Sequence, residues 1–307
     1  MQYKKITALA LASLLLFISG CGSSQTGTGA AESVGTESTK TESAAKELSS
    51  LTVRFLRVGK ADAMIMTCGG ETLVLDTGES DDGEELTEKL TAAGADRVDY
   101  LIITHFDKDH VGGAAELLEH FDVGTVYLPD YEGTSGEYAA FMAALSENDI
   151  TPVRLDEDVT FAFGDAEVTI EPPSSYEITD ASADYDNNFS LITTIVHGDN
   201  TLLFMGDAEK AELSDWLENG NVTDCTLLKV PHHGDYNKAL PALIEAVSPE
   251  YSVICDSEKN PAEAETLALL ETAGAVFETR DGDVTAVSDG ETLAVSREEP
   301  SLSAFTP

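Results

Sequence analysis

The stretch ITHFDKDHVGG, residues 103–113, sets two imidazoles and two carboxylates within six positions: His105, Asp107, Asp109 and His110. Imidazole nitrogen combined with carboxylate oxygen is the donor mixture that suits Zn, Mn or Fe. A tight turn cannot aim four such groups at one tetrahedral ion. A pair of adjacent ions is the natural solution, with His105 and Asp107 facing one and Asp109 and His110 the other. A solvated acidic turn would account for a lone His–Asp pair. It does not account for H-x-D-x-D-H directly after an apolar strand.

Three other apolar runs end in the same way. TLLFMGDAE closes on Asp207, LLKVPHHG on His232 and His233, and LVLDTG on Asp76. Loops at the carboxyl ends of strands are where α/β folds gather ligands. Four strands that each deliver Asp or His at that end describe one convergent site. The remaining histidines read as structural: His120 ends a helix, where a cation meets the last carbonyls, and His197 sits at a hairpin turn. Trp216 shares a helix with Leu213 and Leu217 and reads as packing. Tyr236 and Asn237 follow the HHG turn, where they could line a pocket.

The elements that carry these residues begin at Leu51. LTVRFLRV, DAMIMTC and ETLVLDTG form a β-meander, followed by a helix in GEELTEKLTAAG and a buried strand in RVDYLIITH. The next helix, VGGAAELLEHF, is expected to start just past the charged burst, near Gly112–Gly113. Strand VGTVYLP and helix GEYAAFMAALSEN follow. Strands are then expected at 159–163, 166–171, 190–197 and 201–205, a helix at 208–219 and a strand at 224–230. A helix at 238–247, a strand at 251–255, a helix at 261–273 and short strands to about 296 complete the pattern. A meander followed by β/α alternation, repeated once, predicts an α/β fold of two mixed sheets with helices outside, a four-layer αββα sandwich.

The 307 residues are 42% hydrophobic, enough for a sizeable core in one domain, assigned to 51–297 with a tail at 298–307. Residues 1–20 carry Lys4 and Lys5 before ITALALASLLLFI, a targeting segment too short for a comfortable membrane span. ISGC then resembles a bacterial lipoprotein signal, which implies a lipid on Cys21, anchorage to the cell membrane and an extracytoplasmic domain. The rest of 21–50, rich in Ser, Thr, Gly and Glu, reads as a linker. Cys68, Cys225 and Cys255 have no CxxC spacing and read as buried small hydrophobes. The formal charge of −40, from 17 Lys and Arg against 57 Asp and Glu, argues against a broad basic nucleic-acid footprint. It does not exclude an anionic substrate, because metal ions can dominate a local potential. Lys60, Lys108, Lys229 and Lys238 are the cations next to motif loops.

The blocks VGKADAMIM, LVLDTG, ITHFDKDHVGG, NNFSLIT, LLFMGDAE and VPHHG, in this order, resemble the metallo-β-lactamase-fold hydrolases. The resemblance is strongest to the hydrolase domain of ComEC-type competence proteins and their free-standing relatives. It covers residues 58 to 234. It implies two divalent ions, Zn or Mn: His105 and Asp107 on one, Asp109 and His110 on the other, Asp207 bridging, and His232 or His233 completing the second. Asp76 would orient the loop. Asn188 and Ser190 lie in NNFS, where other branches place a histidine ligand. Ala61 stands where a glycine is usual, and Asp235 follows HHG where a serine is usual, bringing negative charge next to Tyr236. The implied chemistry is hydrolysis by a metal-bound hydroxide, with Asp109 and His110 as the residues closest to the reaction and phosphodiesters as the substrate class. Another ester class, or a metal-carrying surface lipoprotein without catalysis, are the alternatives.

Overall fold

The computed structural model describes residues 48–177 and 186–297. All of them belong to the unit Lys46–Pro307. The targeting segment, Cys21, most of the linker and the 298–307 tail lie outside the described residues.

Among the described residues, fifteen strands form two sheets. The first contains β1 (Leu51–Phe55), β2 (Ala63–Cys68), β3 (Glu71–Thr77), β4 (Val98–Ile102), β5 (Val123–Pro129), β6 (Val153–Leu155), β14 (Val284–Ser288) and β15 (Leu293–Arg297). Its order is β15-β14-β1-β2-β3-β4-β5-β6. The second contains β7 (Val159–Phe163), β8 (Ala166–Glu171), β9 (Ile192–His197), β10 (Asn200–Phe204), β11 (Leu227–Lys229), β12 (Tyr251–Ile254) and β13 (Ala275–Glu278), in the order β13-β12-β11-β10-β9-β8-β7. Strands β3 to β6 run parallel, as do β10 to β13. Their carboxyl ends supply the loops of the site.

Helices α1 (Gly83–Ala92), α2 (Lys108–Val111), α3 (Ala114–His120) and α4 (Gly136–Glu147) cover the first sheet, and α5 (Lys210–Asn219), α6 (Leu240–Val247) and α7 (Ala264–Ala273) cover the second. The central strands are apolar on both faces because both faces are covered. In β2, Met64 and Met66 enter the core between the sheets, where Phe55 stacks on Phe204, while Ala63 and Ile65 enter the core under the helices. The four-layer αββα arrangement is therefore the observed fold. Among the described residues no helix is long and apolar enough to cross a membrane.

The charged burst differs from expectation. Helix begins at Lys108, inside the burst, and a second helix follows at Ala114. Asp109 and His110 thus sit on a helical turn, held by backbone bonds from His110 N and Val111 N to Asp107 O. Strand β9 starts at Ile192 rather than 190, because Asn187–Phe189 form a 3₁₀ turn that lifts Ser190 out of the sheet. Strand β11 keeps only Leu227–Lys229 of the expected 224–230. Trp216, Cys68, Cys225 and Cys255 are buried, as expected.

Candidate metal centre

At the end of β3, Asp76 adopts φ 56°, a left-handed conformation that an Asp tolerates better than most residues. Its carboxylate fixes the next strand end: Oδ1 accepts from Thr104 N at 2.8 Å and Oδ2 from Thr104 Oγ1 at 2.7 Å. Oδ2 also lies 2.8 Å from His110 Nδ1. With that nitrogen engaged, His110 Nε2 points into the site, 3.3 Å from Asp207 Oδ2. Thr104 Oγ1 lies 3.0 Å from His105 Nδ1 and orients that ring similarly.

From the second sheet, Gly206 precedes Asp207 with φ 49°, and a Cβ there would stand 2.9 Å from the Ser190 side chain. That close approach lets Ser190 Oγ accept from Asp207 N at 3.1 Å while lying 3.5 Å from His105 Nδ1. Beyond β11, His232 and His233 are both left-handed, with φ 48° and 50°. Consecutive non-glycine residues in this region are strained, and such strain persists only where the surroundings impose it. The turn swings His233 inward: Nδ1 lies 2.8 Å from Cys255 O, and Nε2 lies 3.0 Å from Asp207 Oδ2 and 3.4 Å from Asp109 Oδ2. His232 is turned outward, with Nδ1 3.4 Å from Glu209 Oε1 and Nε2 3.8 Å from Asp235 Oδ2.

The Nε2 atoms of His105, His110 and His233 are buried without an aligned hydrogen-bond partner. Buried polar atoms seldom remain so. His105, His110 and Asp207 offer ligand atoms within 4.8 Å of one another, and so do Asp109, His110 and His233. Orphaned imidazole nitrogens that converge with carboxylates are what divalent ions require, so the residues fit the metal that the resemblance implies.

Electrostatics point the same way. Burial alone would push His233 down, but Asp207, Asp109 and Asp62 together outweigh it and the imidazole is raised to about 9. His110 is likewise pushed down by burial and held well above its ordinary value by Asp207 and Asp76. Asp207 is raised by burial but brought far below the carboxylate range by His233, His110 and Lys229. Asp109 is also lowered, the neighbouring His233 and His110 overcoming its burial. Raised His233 and His110 thus face lowered Asp207 and Asp109.

Most of the expected residues therefore meet. His105, Asp109, His110, Asp207 and His233 form the centre, with Asp76 and Ser190 behind them. Asp107 is half-exposed, with Oδ2 3.7 Å from His105 Nε2, and belongs to none of the three-residue groups. Asn188 Oδ1 accepts from Glu212 N at 3.1 Å, in the first turn of α5. Asp235 is paired with Lys60 at 2.7 Å, which offsets the negative charge expected there. Tyr236 is 40% exposed. His120 is on the surface beside Glu116, and His197 is buried against Ser288 Oγ at 2.8 Å.

Lys229 is a correction. Expected only as a cation next to a motif loop, it is fully buried, and its Nζ pairs with Asp62. Nζ also donates to Gly206 O at 3.0 Å and lies 3.5 Å from Asp207 Oδ1. Burial would lower this ammonium, but Asp62 and Asp207 raise it above its ordinary value. Asp62 is the residue that sequence reasoning missed. It is wholly buried, 3.6 Å from His233 Nδ1 and 3.9 Å from His110 Nδ1. The signal was a lone carboxylate inside the apolar block ADAMIM.

The profile described as the Metallo-beta-lactamase superfamily matches residues 56–255. The chain belongs to this superfamily. Metallo-beta-lactamase superfamily members are generally metal-dependent hydrolases. ComE operon protein 3 of Bacillus subtilis is 26% identical over 171 residues, 56% of this chain and 21% of that protein. Recombination protein 2 of Haemophilus influenzae is 26% identical over 222 residues, 70% of this chain and 26% of that protein. The aligned part is thus about a quarter of these relatives' length. The metallo-beta-lactamase fold protein YhfI of Bacillus subtilis superposes with TM-score 0.52 at 11% identity, over 80% of this chain and 100% of that one. At that identity the likeness speaks for the fold.

Proposed function

We propose that the domain is a two-metal phosphodiesterase. The observation that carries this reading is the convergence of three orphaned, buried imidazole nitrogens on Asp207 and Asp109. His105, Asp107 and Asp207 would hold one ion, and Asp109, His110, His233 and Asp207 the other. Divalent ions held there would supply an activated water and offset the charge that develops on an ester under attack. Asp109 keeps 24% of its side chain exposed, so it can orient the incoming water and take its proton. Asp76 and Thr104 hold the rings of His110 and His105 at fixed angles throughout.

Relatives named for competence and recombination support a phosphodiester rather than another ester. The charge of −40 favours a small or short substrate over long duplex DNA. The basic residues near the loops support this restriction: Lys60 is paired with Asp235, Lys108 with Glu79 at 2.7 Å, and Lys229 is buried. The same proposal sets the enzyme on the outer side of the cell membrane through a lipid on Cys21, supported by ISGC before a polar tract.

The test is a screen of the metal-loaded protein against bis-p-nitrophenyl phosphate, single- and double-stranded DNA and nitrocefin, with Mn²⁺ or Zn²⁺. Turnover of the small diester, with nitrocefin untouched, is expected. A metal-replete protein inert towards every phosphodiester overturns the reading in favour of a binding role.

A further inference from the structure

A buried ammonium is costly unless charges and acceptors surround it. Lys229 is the one lysine at the centre, and it has both: Asp62, Gly206 O and Asp207 Oδ1. This divides the Asp207 carboxylate in two. Oδ1 faces Lys229 at 3.5 Å, while Oδ2 faces His110 Nε2 at 3.3 Å and His233 Nε2 at 3.0 Å. Asp62 sits behind the same two rings and anchors Lys229 from the far side.

Resting on the two-metal reading, we infer that Lys229, anchored by Asp62, is a positioning residue that occupies Asp207 Oδ1 and leaves Oδ2 as the only oxygen offered to metal. A carboxylate so restricted cannot close on a single ion with both oxygens. Two ions at the centre would both have to draw on Oδ2, so the occupancy of the second would depend on how Lys229 holds the carboxylate. The pair also sets the charge of the centre, one fixed cation against the carboxylates of Asp62, Asp76, Asp109 and Asp207. A lysine serving stability alone would have no bearing on how many ions bind.

The experiment compares Zn²⁺ stoichiometry and affinity, by chelator competition, in the full chain and in the double variant Asp62→Asn/Lys229→Met. Removing both partners leaves no unpaired charge between them. The wild type is expected to take up two ions. The folded double variant should take up one, with the second bound at least about tenfold more weakly. If the double variant does not fold, the isosteric Asp62→Asn alone decides. It leaves Asp207 as the only carboxylate for Lys229, drawing the ammonium onto that group, and should weaken the second ion by a similar factor. Either variant, folded and binding two ions with wild-type affinity, overturns the inference while leaving the metal centre standing. A wild type that binds no Zn²⁺ or Mn²⁺ overturns the underlying reading instead.

Discussion

Asp76 Oδ2 stands 2.8 Å from His110 Nδ1 and thereby decides which nitrogen of that ring reaches the centre. Asp76→Asn keeps the size and tolerates the left-handed backbone, but loses the charge and can present an N–H to the ring. Metal affinity should fall by about 10- to 100-fold with the fold retained. Metal titration followed by circular dichroism checks both parts.

Asp207→Ala removes the oxygen on which His110 and His233 converge. Lys229 remains paired with Asp62, so the chain should still fold. Elemental analysis should find most metal gone, with nearly all activity lost. Full metal content in the folded variant would contradict a shared Asp207.

The pH dependence of the metal-free protein follows from His233. Its folded value near 9 exceeds the ordinary 6.5, so its contribution is complete below about 6.5 and is lost as pH rises through 9. The loss is on the order of 3 kcal/mol. Urea unfolding with chelator present should therefore give a lower midpoint at pH 9.5 than at pH 6.5. Metal replaces the same protons, so loading the protein near pH 7.5 should release about two of them, from His110 and His233, measurable in weak buffer.

Lys108 is exposed and tied to Glu79, and Lys238 is exposed beyond the HHG turn. For a small diester, Lys108→Ala and Lys238→Ala should each change the rate by less than about twofold, with little response to salt. A steep salt dependence together with loss of affinity in these variants would point to long nucleic acid.

Cys21→Ala should move the protein from the membrane fraction to the soluble fraction. Retention of the variant on membranes would remove the lipid from the account.

The sandwich was legible because its central strands are apolar on both faces and its Asp and His residues recur at strand ends. Asp109, His110, His105 and Asp207 could be read from type and spacing alone. His232 and His233 could not be told apart, because only the doubled left-handed turn, which neighbouring loops impose, decides which ring enters. Asp62 and Lys229 escaped because their roles exist only across strands: a carboxylate from the start of β2 meets an ammonium from β11 in the other sheet. Lys229 read only as a cation next to a motif loop, and its burial between two carboxylates is a feature of the folded chain.

The centre draws His105, Asp109 and His110 from the end of β4 and Asp207 and His233 from strands of the opposite sheet. An ion held there would work as a rivet between the halves of the sandwich. By mass action, the folded population would then track the free metal concentration. In metal-poor surroundings the riveted form should become scarce, and proteases should clear the loosened chain first. The supply of metal would thus set how much of the protein persists, before any question of catalysis arises.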